Sequence, residues 1–73
     1  MNVFATAPVG GNFAVWQLGE VAIGDAIVGF EDIVLIVWFW NGAAWLSFAP
    51  GVPLAFNADF TMITGSVLWL VGV

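Results

Sequence analysis

IVLIVWFWNGAAWLSF, residues 33–48, is the stretch whose reading decides the fold. Its first eight residues, Ile33 to Trp40, are uninterrupted apolar and rich in β-branched and aromatic side chains, the composition of a strand. Eight residues is strand length and far short of a membrane-crossing helix. The run is apolar on both parities, which predicts that both faces of the strand are covered. Asn41-Gly42 follows at once and fits a type I′ turn, in which both central residues take positive φ. Residues 43–48 then read as the returning strand, and 33–48 as a hairpin.

Outward from this hairpin the signals are shorter. Residues 1–11 read as an apolar arm ending in Gly10-Gly11, and residues 12–73 as a single β-rich domain. Residues 13–18 carry Phe13, Val15 and Trp16 and read as a first strand closed by Gly19. Val21, Ala22, Ala26, Ile27 and Phe30 approximate helical spacing, which predicts about two turns of helix weakened by Gly24 and Gly29. Pro50, Gly51, Pro53 and Asn57 mark a loop over 49–59. Residues 60–63 fit a short strand or a turn packed on the core, and Thr64-Gly65-Ser66 is a second turn signal. In the last strand, 67–71, Val67, Trp69 and Val71 share one face and Leu68 and Leu70 the other. Strand, short helix, hairpin, loop and strand do not alternate as βαβ units. The expected class is α+β: a small antiparallel-dominated β-sheet with one short helix.

Composition narrows function more than any motif. The 73 residues hold no Lys, Arg, His or Cys, five acids, a net charge of −5, and 63% hydrophobic residues including five Trp and seven Phe. Nucleic-acid binding is excluded as a reading, because phosphate neutralisation needs Lys or Arg. Attachment to an anionic membrane surface is disfavoured for the same reason. Residues 1–8 have no basic region and no long apolar core of the signal-peptide kind. The charge-free stretch 33–58 exceeds a bilayer's length, but Asn41-Gly42, Pro50-Gly51 and Pro53 interrupt it, so a small integral membrane protein is the least favoured of the non-catalytic readings.

Catalysis finds few tools. Glu31-Asp32 are adjacent, so on a strand they would point to opposite faces rather than converge on one bond; solvated acids at the helix–strand junction is the simpler reading. Ser47, Ser66, Thr6, Thr61 and Thr64 have no basic side chain to activate them. Asn57 and Asp59 with carbonyls of the proline loop amount to a partial calcium site without EF-hand spacing, and zinc lacks its usual ligands. No enzyme, cofactor or metal is expected.

Taken together, Gly10-Gly11-Asn12 with Trp16, Asp25-Ala26, Val37-Trp38-Phe39-Trp40, Trp45-Leu46-Ser47-Phe48, Pro50-Gly51-Val52-Pro53, Asn57, and Gly65 with Leu68-Trp69-Leu70 form an ordered series. It resembles a small Trp-rich accessory module of secreted and cell-surface bacterial proteins. Gly11 departs from it, standing where the pattern has Trp, and apolar residues replace the polar and basic ones that dot its strands. The resemblance implies an extracellular or cell-surface setting, attachment or assembly as the role, and no catalytic residues.

Twelve Phe and Trp are many for one core of this size, so some are expected at the surface, where apolar patches mark interaction sites. The expected function is a non-enzymatic structural module that self-associates into an oligomer or filament, its partners copies of itself. The candidate interface is Phe4, Val9, Trp38, Phe39, Trp40, Trp45, Phe48 and Trp69. Strand 33–40 carries no Lys or Pro to guard it as an edge, and the arm is long enough to cross to a neighbouring subunit. The alternative is a module binding carbohydrate or a hydrophobic ligand, although sugar platforms usually include polar neighbours that are scarce here.

Overall fold

In the computed structural model, which describes residues 2–73, an antiparallel four-stranded sheet carries the chain. Its strands are β1 (Asn12–Val15), β3 (Val34–Trp40), β4 (Trp45–Phe48) and β6 (Val67–Gly72), in the order β1-β6-β3-β4. A two-stranded ribbon of β2 (Val21–Ala22) and β5 (Thr61–Met62), together with helix α1 (Ile23–Ala26), lies over one face. This is the α+β architecture with one short helix. The chain pairs its two ends, since β1 and β6 run antiparallel with Phe13 opposite Trp69.

The sheet's covered face holds Leu68 and Leu70 of β6, Val34 and Val37 of β3, and Phe48 of β4. Over them pack Ile23, Ala26, Ile27, Phe60 and Met62, all buried. Phe39 lies flat on Phe60, with ring centroids 4.7 Å apart and planes 5° from parallel. Trp16 is buried, and its Nε1–H donates to the Gly19 carbonyl at 2.7 Å, so the indole enters the core with its polar atom satisfied. Among the described residues no buried side-chain polar atom lacks a partner.

Several sequence expectations change, each for a tertiary reason. The segment expected to be an arm belongs to the domain. A 3-10 turn over Val3–Thr6, capped by Asn2 Oδ1 accepting from Phe4 N, seats Phe4 in the core at 0% exposure. There Phe4 meets Trp16 and Phe30, with centroids at 5.5 and 6.1 Å. The Gly72 N–H holds the segment by donating to the Pro8 carbonyl at 2.7 Å. The helix has one turn instead of two, because Val21 and Ala22 are drawn into pairing with β5 and Gly29 (φ +92°) ends the helical run. Local propensity loses to pairing that covers the core.

The hairpin forms, but its turn is wider than the Asn-Gly dipeptide predicted. Trp40 opposite Trp45 is the last pair, and residues 41–44 make the loop. Asn41 is not at positive φ; its Oδ1 accepts from Ala43 N and Ala44 N, both at 2.8 Å, leaving Gly42 (φ +95°) as the left-handed residue. Within β3 the register shifts between Val34, opposite Gly72, and Ile36, opposite Val71. Leu35 is thereby an extra residue, 55% exposed. The bulge reverses the side-chain alternation, so Val34 and Val37 both face the core. Glu31 and Asp32 sit in a turn rather than on a strand, with Glu31 Oε1 accepting from Gly29 N at 2.7 Å.

Candidate functional site

Cross-strand partners share a face of a sheet, so the pairing registers define the uncovered face row by row. One row runs Phe13, Trp69, Trp38, Ser47 from edge to edge. Val15 with Val67, Ile36 with Val71, and Trp40 with Trp45 complete it. Every member except Ser47 is apolar, none is charged and none is buried. Phe13 is 61% exposed, Trp45 42% and Trp40 39%. The prediction that β3 is covered on both sides therefore fails for this chain by itself. Trp38 and Trp40 point away from the core, and the groups beside them are the other side chains of the same face.

The rings on this face touch one another. Phe13 meets Trp69 edge-on with centroids 4.7 Å apart, and Trp40 meets Trp45 at 5.4 Å. Phe13, on one edge strand, also comes within 6.3 Å of Trp45 on the other. Phe13, Trp38, Trp45 and Trp69 line a shallow open depression of about 500 Å³. Contact among the rings restrains their rotation, so little side-chain entropy is left to lose when the face is covered. Trp45 and Trp69 do not lie on adjacent strands; β3 separates them and Trp38 fills the space.

Gly11 explains part of this order. It has φ +82°, and a Cβ there would stand 2.6 Å from Cζ2 of Trp69. The Trp69 indole therefore rests over Gly11. A side chain at position 11 would collide with the ring and strain the backbone.

The candidate interface divides in two. Trp38, Trp40, Trp45 and Trp69 belong to the open face. Phe4, Phe39 and Phe48 do not: Phe4 and Phe48 are buried and Phe39 is stacked on Phe60, because each points to the covered side. Val9 is 72% exposed but lies in the N-terminal segment, outside the sheet. Sequence reasoning missed Phe13, whose place opposite Trp69 depends on β1 pairing with β6. Alternation against buried Trp16 would signal that face, but it names no partner strand.

The strand edges also differ from expectation. β3, expected to be an unguarded edge, is central. The C-terminal end of β4's outer side is covered by the 49–58 loop: Ser47's carbonyl accepts from Ala58 N at 3.0 Å, and just past the strand the Asn57 side chain bonds both Ala49 N and Ala49 O at 3.0 Å and Val52 O at 3.1 Å. Asn57 Oδ1 is thus committed to backbone, which removes it from the partial calcium site. Asp25 and Asp59 share a depression with it, but no group of three metal-ligating side chains occurs among the described residues. All five acids are exposed and lie outside the four strands of the main sheet. Among the described residues no helix is long and apolar enough to cross a membrane. No family model matches the chain, and neither a curated protein nor a solved structure matches it.

Proposed function

We propose that this protein is a non-catalytic interaction module that assembles with copies of itself through the open aromatic face of its sheet. One observation carries the reading: an edge-to-edge sheet face with no charged residue stands bare, while the opposite face is packed. A continuous aromatic surface of this kind is a recognition surface rather than an ordinary exterior. The extracellular or cell-surface setting rests on the resemblance and belongs to the same proposal. Sedimentation velocity at micromolar concentration tests it. The expected result is a species heavier than the 7.8 kDa chain; a lone 7.8 kDa species over the whole concentration range refutes self-association.

A second reading has its own support. The depression lined by Phe13, Trp38, Trp45 and Trp69, at about 500 Å³, falls in the size range of small-molecule sites. Its walls suit the flat apolar surface of a ligand, which is what the carbohydrate- or hydrophobic-ligand alternative requires. Tryptophan emission during titration with oligosaccharides or lipids distinguishes it, since saturable change with unchanged mass favours the ligand.

A further inference from the structure

We infer that the assembly is a closed pair: two copies packed face to face across a two-fold axis, their sheets forming a sandwich, and not a filament grown through strand edges. The inference rests on the proposed self-association and specifies its geometry.

The edges supply the first argument. Filament growth by strand addition needs exposed edges with free N–H and C=O groups. β3 is central, flanked by β6 and, over Val37–Trp40, by β4. On β4 the outward carbonyl of Ser47 is taken by Ala58, and just past the strand Asn57 occupies both backbone groups of Ala49. β1 is four residues long. Trp16 N donates to Ser66 and Trp16 O accepts from Gly65, so residues of its parity turn toward β6. Outward-directed backbone groups then remain only at Phe13 and Val15 on β1 and at Trp45 and the Ser47 N–H on β4, two short stretches rather than a long open edge.

Area and charge supply the second. Phe13, Trp40 and Trp45 expose 61%, 39% and 42% of their surface. At ~150–250 Å² for an aromatic side chain that is roughly 300 Å². The half-buried indoles and the valines about double it, so a pair buries on the order of 1,200 Å², above the ~1,000 Å² that a specific interface needs. A partner surface must itself be uncharged to cover this face without stranding a charge, and the same face of a second copy meets that requirement. With all five acids outside the four strands, stacking the faces brings no carboxylate into the contact. A cationic partner, by contrast, would be drawn to the acids and leave the aromatics bare. Two such sheets pack about 10 Å apart with strands roughly 30° from parallel. A two-fold contact uses the same patch on both copies and leaves none to propagate.

Sedimentation equilibrium of the full chain from about 1 to 100 µM, with Trp45→Asp, Phe13→Asp and Phe56→Asp beside the wild type, tests this. Phe56 is 80% exposed and lies off the sheet. The expected wild-type mass saturates at twice 7.8 kDa. Trp45→Asp and Phe13→Asp, at opposite edges of the face, are expected to weaken the pair at least 100-fold while keeping the β-rich circular dichroism, and Phe56→Asp to leave it unchanged. If wild type and variants all remain monomeric, self-association itself is wrong. Mass that keeps growing with concentration, or a dimer indifferent to both face substitutions, overturns the closed pair and leaves self-association standing.

Discussion

Gly72→Ala is a demanding test of how the N-terminal segment is held. A Cβ on Gly72 would overlap the Ala7 carbonyl oxygen and stand 2.8 Å from the Ala7 carbonyl carbon. Both are backbone atoms, so no rotamer change relieves the clash. In a strand, alanine by itself is favoured over glycine by about 0.5–1 kcal/mol. Overpacking against fixed backbone costs about 1–3 kcal/mol. If the segment is lifted, the 2.7 Å bond from Gly72 N to Pro8 O is lost as well, at about 1 kcal/mol, together with part of the burial of Phe4. The net loss is about 2 kcal/mol, which lowers Tm by about 8–16 °C in a domain of this size. Thermal unfolding followed by far-ultraviolet circular dichroism measures it. Phe4→Ala in both backgrounds completes the cycle: with the segment already displaced, removing Phe4 should cost less in Gly72→Ala than in wild type. A Tm equal to or above wild type would refute the reasoning. Strict additivity would mean that Gly72 and Phe4 do not act through the same contact.

Two further predictions concern the open face and the covered edge. Gly11→Ala places a Cβ against the Trp69 indole at a residue with φ +82°, so it is expected to cost about 1–2 kcal/mol from backbone strain alone. It should also shift tryptophan emission and weaken self-association; unchanged emission and stability would show that the ring does not rest on Gly11. Asn57→Ala removes three side-chain bonds to the backbone of Ala49 and Val52 and is expected to cost about 1–3 kcal/mol. Amide hydrogen exchange at Ala49 should rise with it, and association beyond two copies should appear as the β4 edge opens. Exchange at Ala49 equal to wild type would show that another group covers this edge.

Much of this architecture was legible in the chain, because strands announce themselves by local composition. The alternation of Val67, Trp69 and Val71 against Leu68 and Leu70 assigned opposite faces that the pairing reproduces. The hairpin was legible from Asn41-Gly42, though the turn was not: Asn41 uses its side chain to hold Ala43 and Ala44 and so never takes positive φ. The bulge at Leu35 was hidden, since in a run apolar on both parities a change of alternation leaves no trace in composition. Of the candidate interface, the four tryptophans reached the open face and Phe4, Phe39 and Phe48 did not. Phe looks the same in sequence whether it faces core or solvent.

Composition by itself determined that the protein carries more aromatic and aliphatic surface than carboxylates can offset, and that its strands form a small antiparallel-dominated sheet. Those properties are sums over residues or patterns between near neighbours, and they need no knowledge of distant contacts. Only the tertiary structure decided that β3 is central, that residues 3–6 close the core, and that Phe13 joins Trp69, Trp38 and Trp45 on one bare face. Each depends on pairing between residues far apart in the chain, β1 with β6 above all, and hydrophobic attraction is non-directional, so it does not say in advance which apolar segment will meet which.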